Sequence, residues 1–144
     1  MSKKITPAEF QALAELRYRL RIFLKQGDAE ARAAGLEPQQ YLMLLAIRGL
    51  SPDTPAKIQT LADRLALKHH SAVELVDRLE KRGLVRRTRG RIDRRQVLVS
   101  LLPRGQKVLE RVVQHRISEL RSSGRQLVRA ITALLRDGRN SPDA

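Results

Sequence analysis

Between Ile58 and Leu101 the apolar repeat changes once, from the period of a helix to the period of a strand, with no long loop between the two. Ala72, Leu75, Val76 and Leu79 fall at i, i+3, i+4 and i+7, one face of a helix that Gly83 closes. A shorter helix from Ile58 to Leu67, burying Leu61, Ala62 and Leu65, precedes it across Lys68, His69 and His70. After Gly83 come two short β-rich runs, Leu84-Val-Arg-Arg-Thr-Arg and Gln96-Val-Leu-Val-Ser-Leu, separated by the turn Gly90-Arg-Ile-Asp-Arg-Arg. Few small folds accept that succession of helix, turn, longer helix and hairpin.

The flanks read as helices throughout. Thr6 caps, Pro7 suits a first helical position and Glu9 completes a capping box. Phe10, Leu13, Leu16, Leu20, Phe23 and Leu24 then recur at helical spacing until about Ala34, where Gly35 is the stop. Pro38 opens a second helix with Tyr41, Leu44, Leu45 and Leu50 on its stripe, followed by the loop 49–55. Pro103 opens another, with Val108, Leu109, Val112, Val113 and Leu120 apolar. Gly124 is expected to break it, leaving a last helix through Leu127, Val128, Ile131, Leu134 and Leu135. The fold class is therefore mainly α with a small β-hairpin, a winged helix-turn-helix carrying long terminal helices. Those terminal helices have more apolar surface than one copy of the chain covers, which predicts a homodimer.

Charge narrows the partner. Of 144 residues, 29 are Lys or Arg and 15 are Asp or Glu, for a formal charge of +14, and 22 of the cations are Arg. Residues 57–100 hold 12 cations against 5 acids, and Lys81 to Arg95 holds eight against the single Asp93. An even coat for solubility does not concentrate in this way, so a polyanion is implied. Only four residues are Phe or Tyr and none is Trp, too few for a platform that stacks single-stranded bases. Double-stranded DNA is the expected partner. A helix enters its major groove while a cationic hairpin reaches phosphates or the neighbouring minor groove.

With the helix turned inward on Ala72, Leu75, Val76 and Leu79, the outward residues are His70, Val73, Glu74, Asp77 and Lys81, flanked by His69, Ser71 and Arg78. Candidate DNA contacts are His69, His70, Ser71, Val73, Glu74 and Arg78 on the helix and Arg91, Arg94 and Arg95 on the hairpin tip. One or two of Arg86, Arg87 and Arg89 are expected on phosphates. Ser71 and Glu74 also match a capping box, which would give Glu74 a purely structural role. His69, His70 and Glu74 form too small a set for zinc, His115 being distant in sequence, so no metal or other cofactor is expected. Tyr18 and Tyr41 are either core or the lining of a ligand cleft.

Other classes fail on inventory. Cysteine is absent, which removes disulfides, thiolate metal sites and a Cys nucleophile. There is no Gly-rich phosphate loop, no triad and no acidic cluster for nuclease metals, so no catalytic residue is assigned. No apolar run approaches the roughly 20 residues of a membrane span, and the first residues lack the apolar stretch of a signal peptide. The expected location is the cytoplasm, away from membranes.

The segments Leu61-Ala-Asp-Arg-Leu, Ser71-Ala-Val-Glu-Leu-Val-Asp-Arg-Leu-Glu-Lys-Arg-Gly-Leu-Val-Arg-Arg, Asp93-Arg-Arg and Leu101-Leu-Pro-Arg-Gly, with Gln40-Tyr41 upstream, resemble the MarR family of bacterial transcriptional regulators. The resemblance implies a homodimer held by residues 1–36 and 103–138, around a DNA-binding winged helix-turn-helix at 37–102, with 139–144 a disordered tail. It implies two recognition helices in successive major grooves of a pseudo-palindromic operator, Asp93 holding the hairpin and Arg95 reaching the minor groove. It also implies repression relieved by a small phenolic or anionic effector. Lys68-His69-His70, Val73 and Glu74 depart from the family's usual residues, so its operator sequences do not transfer. An architectural DNA binder without a defined operator, or an interaction module that has lost DNA binding, are the competing readings.

Overall fold

The computed structural model describes residues 2–136, in the order α1 (Pro7–Ala33), α2 (Pro38–Gly49), α3 (Ile58–Arg64), α4 (His69–Lys81), β1 (Val85–Arg89), β2 (Val97–Leu101) and α5 (Pro103–Leu135). Local chemistry sets most boundaries. The Glu9 backbone N–H donates to Thr6 Oγ1 at 3.1 Å while the Thr6 N–H donates to Glu9 Oε1 at 3.0 Å, the capping box read from sequence. At Gly35 (φ +84°) and Gly83 (φ +71°) the chain enters the left-handed region. The following N–H groups of Leu36 and Leu84 then bond back to Ala31 and Leu79, both helices ending in the same motif. At Gly83 that motif converts helical into strand periodicity.

The third helix ends earlier than its apolar pattern extends, because Ala66 takes a left-handed conformation (φ 53°) and Leu67 N–H bonds back to the Ala62 carbonyl at 2.9 Å. This is a glycine-type ending built with alanine, a conformation that costs an L-residue about 1–2 kcal/mol.

β1 and β2 pair antiparallel in the register Val85↔Leu101, Arg87↔Val99 and Arg89↔Val97. The segment before α3 joins them. Val99 N–H donates to the Ala56 carbonyl at 2.9 Å, and Lys57 bridges Leu98. Met43 and Leu44 of α2, Leu61 of α3, Val76 and Leu79 of α4, Val85 of β1 and Val112 of α5 are fully buried in one core. Each such side chain contributes about 1.5–3 kcal/mol by leaving water.

The helix from Pro103 is not broken at Gly124. It continues unbroken to Leu135, so the two C-terminal helices read from the sequence are one. Arg116, Leu120, Gly124, Leu127 and Ile131 succeed one another at three- and four-residue intervals, so the stripe runs straight through the glycine. A single interior Gly costs about 1 kcal/mol, less than abandoning the packing of the last three turns on α1. Residues 137–144, including the expected tail, lie outside the described residues. No described helix is long and apolar enough to cross a membrane.

Candidate nucleic-acid interface

The apolar face of α4 is buried as its spacing requires: Ala72, Leu75, Val76 and Leu79 all lie inside. Of the outward candidates, His69, His70, Glu74 and Arg78 are exposed, and Ser71 is half-buried. Val73 does not face solvent freely. It is half-buried against the core and, with Ile58, Thr88 and Val97, lines a cleft of about 470 Å³ between α4 and the hairpin. The Ser71–Glu74 capping box does not form either. The helix begins three residues earlier than that box requires, its N-cap is Lys68, and no side chain caps it. The first-turn N–H groups therefore point outward beside Lys68, His69 and His70, an arrangement suited to an anion.

His69 is held by a relay from α3. Gln59 Nε2 donates to Asp63 Oδ1 at 2.9 Å, and Gln59 Oε1 lies 3.0 Å from His69 Nδ1. A carboxylate only accepts, so the amide nitrogen of Gln59 must face Asp63 and its oxygen must face His69. Nδ1 of His69 therefore donates to Gln59, which fixes the ring's orientation between α3 and α4.

The hairpin tip is built around Asp93. Its Oδ1 accepts from the Arg95 backbone N–H at 3.0 Å and its carbonyl accepts from Gln96 N–H at 3.1 Å, while Gly90 N–H donates to the Gln96 carbonyl at 3.0 Å. Arg89 Nη1 closes the loop on the Arg94 carbonyl at 3.1 Å. Only glycine fits at 90, where a Cβ would stand 2.7 Å from the Asp93 carbonyl. Arg91, Arg94 and Arg95 all project from this frame. The Arg95 side chain is 95% exposed, its guanidinium 3.6 Å from Asp93.

Arg87 behaves differently from its neighbours. The two-residue period of β1 puts it on the same face as Val85, opposite Val99, and turned toward α4. Its guanidinium lies 2.6 Å from Asp77 and 2.9 Å from Glu80, and its backbone N–H donates to Glu80 at 3.0 Å. The backbone bond, then the side-chain bond, hold the Glu80 carboxyl below its usual range, and Glu80 in turn holds Arg87 more firmly protonated. Arg87 and Asp77, both expected to face outward, thus form a clasp between α4 and the hairpin. The alternation Val85, Arg87 against Arg86, Thr88 was the available signal.

Two other arginines escaped sequence reasoning. Arg82, just past α4, donates to Gln40 Oε1 at 2.8 Å and to the Gly35 carbonyl at 2.9 Å, tying the end of α4 to the α1–α2 turn. Arg116 is buried between α5 and α1, only 6% exposed, and pairs with Glu119. Tyr41 is buried, and burial raises its phenol above the usual value, opposed by the nearby charge of Arg116. Tyr18, by contrast, is exposed on α1 beside Arg19, so the two tyrosines occupy different environments. Among the described residues no cluster of three His, Asp or Glu could hold a metal.

Residues 34–96, which run from the C-cap of α1 through the hairpin tip, match the model of the MarR family. Over 106 residues the chain is 29% identical to the HTH-type transcriptional regulator YsmB of Bacillus subtilis, covering 74% of this chain and 70% of that protein. Its fold is similar to that of a MarR family protein from Bacillus stearothermophilus, with TM-score 0.72 and 23% identity over 91% of this chain and 94% of the other. It is also similar to CouR from Rhodococcus jostii, solved bound to p-coumaroyl-CoA, with TM-score 0.66 and 22% identity over 81% and 83% of the two chains. Helix order, hairpin and the match over residues 34–96 together make the chain similar to the MarR family, and it shares the winged helix-turn-helix fold of that family's solved members.

Proposed function

We propose that the protein is a homodimeric repressor that grips a pseudo-palindromic operator and releases it when a small phenolic or anionic effector binds. The observation that carries this reading is the placement of an exposed, cation-flanked recognition helix beside a hairpin whose tip presents three arginines to solvent. In it His69, His70, Ser71, Glu74 and Arg78 read the major groove, while Arg91, Arg94 and Arg95 reach phosphates and the minor groove. Asp93 holds the tip in shape. Phosphate contacts supply most of the affinity, and a few helix residues supply sequence selection.

Dimerisation through 1–36 and 103–138 is supported by apolar surface left open on both long helices. Phe10, Leu13 and Leu24 on α1 and Val128, Ile131 and Leu135 on α5 are all exposed, and Leu120, Leu127 and Val128 line an apolar groove. An isolated subunit does not keep so many large apolar side chains in water without cost. Release by an effector is supported by the likeness to CouR, which binds an acyl thioester of a phenolic acid, and Tyr18 and Tyr41 are proposed effector contacts.

Selection of bound genomic fragments, with and without phenolic and lipophilic anions, tests the reading. Enrichment of a few inverted repeats, lost when an effective anion is added, is the expected result. Uniform recovery of all fragments would leave an architectural binder instead. A sedimentation mass of one subunit would overturn the dimer.

A further inference from the structure

We propose that Ile92 is an apolar wedge that enters the minor groove at a flexible base step and kinks the DNA, an inference that rests on the DNA-bound placement of the hairpin proposed above. Ile92 is the most exposed large apolar side chain among the described residues, at 104% of its reference surface. The other exposed large apolar residues lie within helices, or, for Ile5, next to the capped start of α1. Ile92 has no stripe and touches no core. It stands at the tip of the hairpin between Arg91 and Asp93, with Arg94 and Arg95 also exposed beside it.

The tip is not a slack loop in which an isoleucine happens to fall outward. The Gly90, Arg95 and Gln96 backbone N–H groups and the Arg89 guanidinium all bond within it, and the close approach at Gly90 admits no side chain. The loop is thus set before binding, with the isoleucine projecting. Such preorganisation is useful only if the projecting group meets a surface. An isoleucine has nothing to give a phosphate. Within a ring of guanidinium groups, the apolar surface available to it on DNA is the face of a base pair, reached where a step opens toward the minor groove. Pyrimidine–purine steps, TA and CA/TG, open with least resistance, so the wedge selects such a step without any hydrogen bond to a base edge.

The experiment uses the full chain and a duplex recovered by fragment selection, labelled at its ends for energy transfer and carrying 2-aminopurine at the steps facing the hairpin. Wild type is expected to shorten the end-to-end distance and brighten one 2-aminopurine position. Ile92→Ser is expected to leave the salt dependence unchanged, lose most of the bend and the brightening, and bind about ten-fold more weakly. A mismatch placed at that step removes the unstacking cost and is expected to tighten wild type more than Ile92→Ser. Ile92→Leu keeps an apolar tip and is expected to keep the bend. Equal bending and brightening by wild type and Ile92→Ser overturns the wedge while leaving the DNA-binding reading intact. Failure of wild type to bind the duplex at low ionic strength overturns both. Unchanged bending, with loss of binding to anionic phospholipid vesicles in Ile92→Ser, overturns the wedge in favour of a lipid surface.

Discussion

The guanidinium of Arg116 lies against the ring of Phe23, 3.9 Å from its centroid, and donates to the Phe23 carbonyl at 2.6 Å. The two residues are on different helices, and this contact joins α5 to α1 in the absence of any apolar residue at position 116. Cation–π attraction, a carbonyl and the Glu119 carboxylate together replace the water that the charge gave up. Arg116→Ala is expected to lower unfolding stability by about 2–4 kcal/mol, less than for a fully enclosed pair because Glu119 retains some access to water. Denaturant unfolding measures it. Gly27 adds a test of packing, since a Cβ there would meet the pinned guanidinium at 3.1 Å. Gly27→Ala is therefore expected not to show its helix-propensity gain of about 1 kcal/mol in wild type and to show it in an Arg116→Met background. Simple additivity of the two changes would refute the contact.

Arg87 and Arg95 make a matched pair for DNA titrations. Arg95→Ala is expected to weaken operator binding by about 1–3 kcal/mol and to flatten the plot of log K against log salt by about one counterion. Arg87→Ala is expected to weaken binding as well, through a loosened hairpin, but with the salt slope unchanged and with lower thermal stability. A slope reduced equally by both substitutions would return Arg87 to the phosphate contacts.

The same clasp responds to acid. Glu80 has its carboxyl held below the usual carboxylate range, first by the Arg87 backbone N–H and then by the guanidinium. A depressed folded value gives stability that is fully present above the unfolded value and lost as pH falls through the folded one. Stability of wild type is thus expected to drop below about pH 4.5 more steeply than that of Glu80→Gln, which lacks this titration and is already weaker at neutral pH. Parallel acid-unfolding curves would show that Glu80 does not contribute.

Glycines at two places on α5 are expected to behave oppositely. At Gly105 a Cβ would stand 2.1 Å from the Leu84 carbonyl oxygen, which itself accepts from Leu102 N–H, so neither backbone has room to move. Gly105→Ala is expected to cost about 3 kcal/mol or more by prising the start of α5 from β1. At Gly124 the nearest atom outside the local backbone is 3.8 Å away, and Gly124→Ala is expected to stabilise by about 0.5–1 kcal/mol. Thermal unfolding of both variants checks the contrast.

Much of the site was legible in order and type. Thr6 with Glu9, Gly35, Gly83 and the stripe from Ala72 to Leu79 act through bonds and angles within a few residues, so the local sequence is sufficient to place α1, α4 and the switch into β1. Asp93 and Gly90 similarly shape the hairpin tip from inside it. Where reading failed, the deciding partner lay elsewhere. Gly124 looked like a stop because its neighbours were weighed without α1, whose packing carries α5 through.

The sequence by itself determined the succession of elements, the concentration of positive charge near the hairpin and the dry face of α4, because periodicity, capping and left-handed turns are short-range properties. Only the tertiary structure decided what each arginine does. Arg87, Arg82, Arg116 and Arg95 are the same residue in a one-dimensional reading. Their partners are Glu80 on the facing helix, Gln40 at 42 residues' separation, Phe23 at 93, and for Arg95 chiefly water. A guanidinium carries five donors wherever it stands, and which acceptors reach it is set by the packing of elements distant in the chain.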